Sequence, residues 1–389
     1  MDFFTKVDIP AAGFEIDYTS RIAFFGSCFA DNISAQFAAR KFSVLANPFG
    51  TVYNPVSIAR QIRAIADGKV FGEGDIFQDA RGLQDDSGKQ DARGKQDARG
   101  PWYSWDTHGS LSASTREECI AKLNDAASSA REFLQQANVV FITLGTAFVY
   151  YLKDASATGN GDAHGRAVAN CHRQDPALFE RRMISVEEAT RALEGIVRDL
   201  VKIKQDWILR SAQDDTNIAA RDDDRKFHIV FTVSPLRHMG DGAHNNTLSK
   251  ATLQLAVNNV INKVTTVPSA SSGTLPVSYF PSYEIVMDEL RDYRFYADDM
   301  VHLSKTAEEY IFERMAETYC SEKTRTDIAQ VEKLMRMANH RIADPESPAT
   351  HAFAEKILVQ AGELEKKIPG LNLSEEKQKF RETTLHVRG

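Results

Sequence analysis

The sequence predicts a parallel α/β fold with helices on both faces of the sheet and a helical extension at the C-terminus. Three observations lead there. VVFITL (139–144) and HIVFTV (228–233) are unbroken apolar runs, the pattern of strands buried on both faces. Amphipathic helical segments alternate with these runs, which is the signature of parallel strands joined by crossover helices. The stretch RIAFFGSCFA (21–30) has a short apolar strand, Ile22–Phe25, turning through Gly26, Ser27 and Cys28 into a helix over about Asp31–Arg40.

Taken in order, residues 1–20 are an extended lead-in interrupted by Pro10 and Gly13. After the first strand and helix, Ser43–Pro48 is a second strand, and Asn54-Pro55 opens a helix to about Ala66, since proline suits a first helical turn. From Gln78 the chain repeats every six residues as QDARG, QDDSG, QDARG and QDARG. These repeats have almost nothing to bury and read as a surface insertion near 75–100, with a second hydrophilic insertion near 211–226. Trp102–Leu111 is aromatic and hairpin-like, and Ser114–Ala137 is a long helix with an acidic start. A hairpin-like segment holds Tyr150 and Tyr151, and a Gly-rich loop follows at 159–165. Helices are predicted over Val186–Lys204, Leu248–Val264 and Thr306–Tyr319, and a strand within Val277–Val286. The aromatic run Tyr279, Phe280, Tyr283 reads as core. The chain divides into an α/β part, 1–322, and a charged helical extension, 323–389.

Composition narrows the function classes. A chain of 389 residues can bury a large core without staples. The net charge of −7 provides no electrostatic footprint for nucleic acid or an anionic membrane, and no apolar run approaches a membrane span. Cys28, Cys119, Cys171 and Cys320 are scattered without a C-x-x-C pair. They read as free thiols in a reducing compartment, and with no secretory leader in the first residues the expected location is cytoplasmic. No cofactor fingerprint is present.

The chemistry-bearing residues fall where strands end, the place where open α/β sheets build sites. Ser27 stands at a strand-to-helix turn, beside free backbone N–H groups and the positive end of a helix dipole. A hydroxyl nucleophile needs a base and a group to orient that base. FYADDMVHLS (295–304) offers His302 with Asp299 at D-x-x-H spacing, and Asp298 as the competing orienter.

GSCFA at 26–30, NPFG-x-x-YNP at 47–55, NCHR at 170–173, SPLRH at 234–238 and FPSYEIVMDELRDYRFYADDMVH at 280–302 together resemble the GSCFA family over roughly residues 5–320. That family is similar to the SGNH/GDSL hydrolases. The resemblance implies a three-layer flavodoxin-like fold, Ser27 as nucleophile, His302 as base and Asp299 as orienter. The implied function is cleavage of a small-molecule or carbohydrate ester. Acyl transfer by the same chemistry and non-catalytic ligand binding are the alternatives. One departure stands out: where SGNH enzymes place an oxyanion-holding Asn, this chain has Ala147. The backbone N–H groups of Ser27 and Gly50 remain as donors, with Thr146, Asn170 or His172 as a third.

Asn170, His172 and Arg173, and likewise Ser234, Arg237 and His238, are candidate substrate-binding residues, suited to a polar or anionic group. Cys28 adjoins Ser27 but reads as a small buried thiol. His238, Asp241 and His244 share a Gly-containing loop, yet no fixed metal-ligand spacing supports them as a metal site.

Overall fold

A computed structural model of the chain describes residues 5–78, 100–153, 165–213, 227–266, 277–340 and 347–385. Its strands are β1 (Arg21–Gly26), β2 (Ser43–Ala46), β3 (Phe77–Gln78), β4 (Trp102–Tyr103), β5 (Val139–Leu144), β6 (Phe148–Leu152), β7 (Arg166–Val168), β8 (Phe179–Met183), β9 (His228–Val233) and β10 (Val277–Tyr279). Its helices are α1 (Cys28–Ala39), α2 (Pro55–Ala66), α3 (Arg116–Gln135), α4 (Val186–Gln213), α5 (Ala243–Thr266), the short α6 (Ser282–Glu284), α7 (Lys305–Tyr319), α8 (Glu322–Ala338), α9 (Pro348–Lys367) and α10 (Ser374–Leu385).

Five parallel strands form the central sheet in the order β10-β9-β5-β1-β2. The apolar runs split by residue parity, as a pleated strand requires. Ala23, Phe25, Val140, Ile142, Leu144, Ile229, Phe231 and Val233 pack on one face, against α2, α3, α4 and α5. Ile22, Phe24, Val139, Phe141 and Val230 pack on the other, against α1 and α7. There Phe24 stacks on Phe141 with ring centroids 5.0 Å apart, and Phe37 of α1 meets Phe312 of α7 edge-on. Each such buried phenyl ring contributes roughly 1.5–3 kcal/mol.

The C-terminal helices extend this second layer. Ile328, Val331, Leu334, Ala354, Ile357 and Phe380 belong to the same apolar cluster as Phe24 and Phe37. Arg40, at the end of α1, donates to Glu332 of α8 at 2.6 Å and also pairs with Glu309. The helical extension foreseen from the sequence is therefore a cover on the α1 side of the sheet.

Several elements differ from the sequence expectation. The 150–151 segment is the centre of a three-stranded antiparallel sheet, β7-β6-β8, rather than half of a simple hairpin. β4 pairs with β3, from before the repeat segment. The strand in 277–286 stops at Tyr279, because Pro281 cannot donate to a ladder; α6 and a π-helical turn, Ile285–Glu289, follow. Phe280 is fully buried, while Tyr279 is half-buried with its hydroxyl on Glu284. The hexapeptide repeat at 79–99, the Gly-rich loop up to 164 and the acidic segment at 214–226 lie outside the described residues. No described helix is long and apolar enough to cross a membrane.

Candidate functional site

The sheet's carboxyl edge is organised at Gly26. Its φ of +131° and the approach of β5 leave no room for a side chain: a Cβ there would lie 2.0 Å from Thr143 O. The loop after β2 is fastened to this turn. Asn47 Oδ1 accepts from Gly26 N–H at 2.8 Å, Val52 N–H donates to Gly26 O at 3.0 Å, and Asn47 Nδ2 donates to Asp31 of α1 at 2.7 Å. Tyr53 O accepts the N–H groups of Gly145 and Thr146, at 2.8 and 2.9 Å, which ties the same loop to the end of β5.

Ser27 is the N-cap of α1 and is buried, yet its hydroxyl caps nothing and has no hydrogen-bond partner. Ser304, Ser321 and Ser347, the N-caps of α7, α8 and α9, each accept the N–H three residues on. Capping is the ordinary use of such a serine and contributes about 1 kcal/mol. Ser27 leaves it unused and faces a cavity of about 630 Å³.

That cavity gathers residues from six separate parts of the chain: Ser27 and Cys28 after β1, Tyr53 and Asn54 before α2, Gly145 and Thr146 after β5, Asn170 and Cys171 after β7, Ser234, Arg237 and His238 after β9, and Val301 and His302 before α7. His302 Nδ1 lies 2.5 Å from Asp299 Oδ2. Asp299 also accepts the N–H groups of Val301 and His302, at 2.9 and 2.8 Å. The hydrogen bond from the His302 ring, followed by these two N–H groups, holds the Asp299 carboxyl down to about 2. The carboxylate is thus ionised and bonded at every pH above that range, and the pairing is lost as pH falls through it. It presents the imidazole with Nδ1 occupied and Nε2 free to act as a base. Asp298 makes no such bond and stays exposed. Ser27 lies at the buried end of the cavity and His302 at its open end, with no hydrogen bond between them.

The remaining sequence candidates separate. Gly50 does not line the cavity; its N–H closes a turn onto Asn47 O at 2.7 Å, and its α-carbon faces His108. Thr146 lines the cavity, but its N–H is on Tyr53 O and its hydroxyl accepts from Phe148 N–H at 3.1 Å. The Ser27 N–H reaches Thr143 O at a long 3.3 Å. Ala147 is buried in the apolar core and does not line the cavity. Of NCHR only Asn170 and Cys171 reach the cavity. His172 stacks on Tyr103 at 4.2 Å and lies 2.8 Å from Ser104 O, a packing role, and Arg173 is exposed outside the cavity. Ser234, Arg237 and His238 all line it.

The His238–Asp241–His244 loop is not one loop. Met239–Asp241 is a 3-10 turn, and Gly242 at φ +75° lets α5 begin at Ala243, earlier than the apolar pattern indicates, which puts His244 in its first turn. His238 Nδ1 lies 3.1 Å from the buried Asp241, which also pairs with Arg181. Among the described residues no group of three or more His, Cys, Asp or Glu is placed to hold a metal ion. The four cysteines are free. Cys28 is only half-buried and lines the cavity, and burial, then the nearby Asp31 carboxylate, push its thiol up rather than down, which disfavours a thiolate at neutral pH.

Two site residues escaped sequence reasoning. Asn54 lines the cavity with Oδ1 fixed by Ser57 N–H at 2.8 Å as the N-cap of α2, which leaves its NH₂ as the free end. The Asn-Pro helix start was a visible signal for the cap but not for the cavity. Lys250 looks like a solvated helix residue in sequence, but it is fully buried. Its Nζ donates to Gly145 O at 2.7 Å and Ser234 O at 2.6 Å, joining the ends of β5 and β9 behind the cavity wall. Burial, then the charge of Arg237, lower Lys250 to about 7 from an ordinary 10.5. A neutral amine has two N–H bonds, which match the two carbonyls. Between those pH values the unfolded chain binds the extra proton, so stability rises with pH by up to about 1.4 kcal/mol per unit from this group. Melting curves of wild type and Lys250→Met from pH 7 to 10 are expected to show this slope in the wild type and its loss in the variant; parallel curves would refute it.

The GSCFA family matches residues 21–210 and 214–315, and the C-terminal domain of GSCFA domain proteins matches residues 331–385. No curated protein matches the chain.

Proposed function

The chain belongs to the GSCFA family, and from that premise we propose that it is a serine esterase of the SGNH type, acting on an acyl ester of a small polar or carbohydrate molecule. The observation that carries the reading is Ser27: a buried hydroxyl at a strand-to-helix turn, unused as a cap, facing a cavity that also holds a histidine backed by an aspartate. The strand order supports it. Numbered within the sheet it is 2-1-3-4-5, the flavodoxin-like order, and the cavity lies at the switch point beyond β1 and β5.

In this mechanism His302 Nε2 takes the Ser27 proton as Oγ attacks the acyl carbon. Asp299 holds the other ring nitrogen and stabilises the imidazolium. The C–O bond to the alcohol breaks, and the alcohol leaves with the proton from His302. Water attacks the acyl-enzyme with His302 again as base; another alcohol in its place makes the reaction an acyl transfer. Catalytic hydrogen bonds are often long without substrate and tighten in its complex, which accommodates the open Ser27–His302 geometry. Asn54 supplies the oxyanion donor in place of the absent SGNH Asn. A Cβ at Gly145 would touch both Ser27 Cβ and Tyr53 at 3.2 Å, so the Tyr53–Asn54 segment borders the nucleophile.

A fluorophosphonate probe is expected to label Ser27 of the wild-type chain, and 4-nitrophenyl acetate to be hydrolysed; no labelling at any pH would remove the proposal and favour a ligand-binding role. Asn54→Asp keeps a cap acceptor for Ser57 and removes the donor. It is expected to lower kcat on the order of 100- to 1000-fold with a near-unchanged melting temperature. A kcat within a factor of about two of wild type would assign the oxyanion hole elsewhere.

A further inference from the structure

We infer that the substrate carries an anionic group, a carboxylate or phosphate, held by Arg237 beside the ester; this rests on the esterase reading above. Arg237 lines the cavity in the loop after β9, and none of the described residues lining that cavity is Asp or Glu. The guanidinium has only marginal neutral neighbours: Nη1 lies 3.5 Å from Thr247 Oγ1 and Nη2 3.9 Å from Met287 Sδ. Arg60, Arg166 and Arg182, by contrast, each bond a carboxylate at 2.6–3.0 Å. Behind the wall, Lys250 is held by the carbonyls of two lining residues, Gly145 and Ser234.

Burial, then the charge of Arg237, disfavours a second charge at Lys250 and leaves Arg237 as the permanent cation at this edge. A fixed guanidinium at a cavity with no carboxylate among its described lining residues creates a field that an anionic ligand relieves. Asp241 and Asp299, which lie outside the lining, are each engaged by a ring nitrogen of a lining histidine, His238 and His302. The planar fork of Arg237 fits a carboxylate or phosphate through two oxygens. Cys28, Phe148 and Leu236 supply apolar wall for the rest of the molecule.

The test compares mono-(4-nitrophenyl) succinate with 4-nitrophenyl butyrate, anionic and neutral esters of similar length, on the full chain and on Arg237→Gln and Arg237→Lys. The wild type is expected to favour the succinate ester. The anionic-to-neutral ratio of kcat/KM is expected to fall ~10- to 100-fold in Arg237→Gln, with a smaller fall in Arg237→Lys. A ratio that stays within twofold of wild type in Arg237→Gln overturns the inference while the esterase reading stands. A second arm does not depend on turnover: thermal shift of wild type and Arg237→Gln with succinate and with inorganic phosphate. Stabilisation of the wild type alone supports the anion site, and the stronger ligand identifies the anion class. No stabilisation of the wild type by either overturns it, even if labelling and hydrolysis fail as well.

Discussion

Ser27→Ala is expected to abolish fluorophosphonate labelling and to lower ester turnover on the order of 10⁴-fold or more, while the protein melts no lower than the wild type. Removing a nucleophile normally leaves only the rate contributed by binding and the anion hole. The stability half of the prediction is specific to this serine. Its hydroxyl is buried and bonded to nothing, and an unpaired buried polar group costs roughly 1–3 kcal/mol. Alanine removes that cost. At a capping serine such as Ser304 the same change should destabilise the helix by about 1 kcal/mol. Calorimetry of Ser27→Ala and Ser304→Ala therefore separates a functional hydroxyl from a structural one. A Ser27→Ala protein that melts well below the wild type and keeps its turnover would show that the hydroxyl serves the fold.

Gly26→Ala is expected to destabilise the protein by about 3 kcal/mol or more. Two penalties combine. The backbone at φ +131° is one that L-residues rarely adopt, and the added carbon would overlap Thr143 O at 2.0 Å. Relief requires β1 and β5 to separate at the point where both sheet faces are buried. Asn47 Oδ1 would lose its hold on Gly26 N–H, and the Asn47–Asn54 loop would shift with it. A urea midpoint close to that of the wild type would refute this account. The refolded variant should also lose ester turnover, because Ser27 and Asn54 are both positioned from this turn.

Much of the fold was legible because burial on two faces writes an unmistakable pattern. Val139–Leu144 and His228–Val233 are strands over the very residues that the apolar runs mark. β7 and β8 were not legible: β7 is only three residues long, β8 carries Glu180, Arg181 and Arg182 at its centre, and both find a place only by pairing with β6. Helix α5 starts earlier than its apolar pattern, because Gly242 and not the first leucine determines where the chain can turn into a helix.

Of the candidate site, local spacing announced Ser27 and the His302–Asp299 pair, since a strand-to-helix turn and a D-x-x-H segment are short-range features. Residue chemistry also marked Arg237 and His238 as pocket residues. Which candidates share one cavity depends on how the β1, β5 and β9 ends are aligned, and that is long-range packing. His172 has the chemistry of a site residue but stacks on Tyr103, and Gly50 spends its N–H on a turn. Lys250 and Asn54 carry ordinary local signals, a helix lysine and a helix cap. They become site residues only when the crossover helices dock, because burial, carbonyl approach and cavity exposure are properties of the assembled sheet edge.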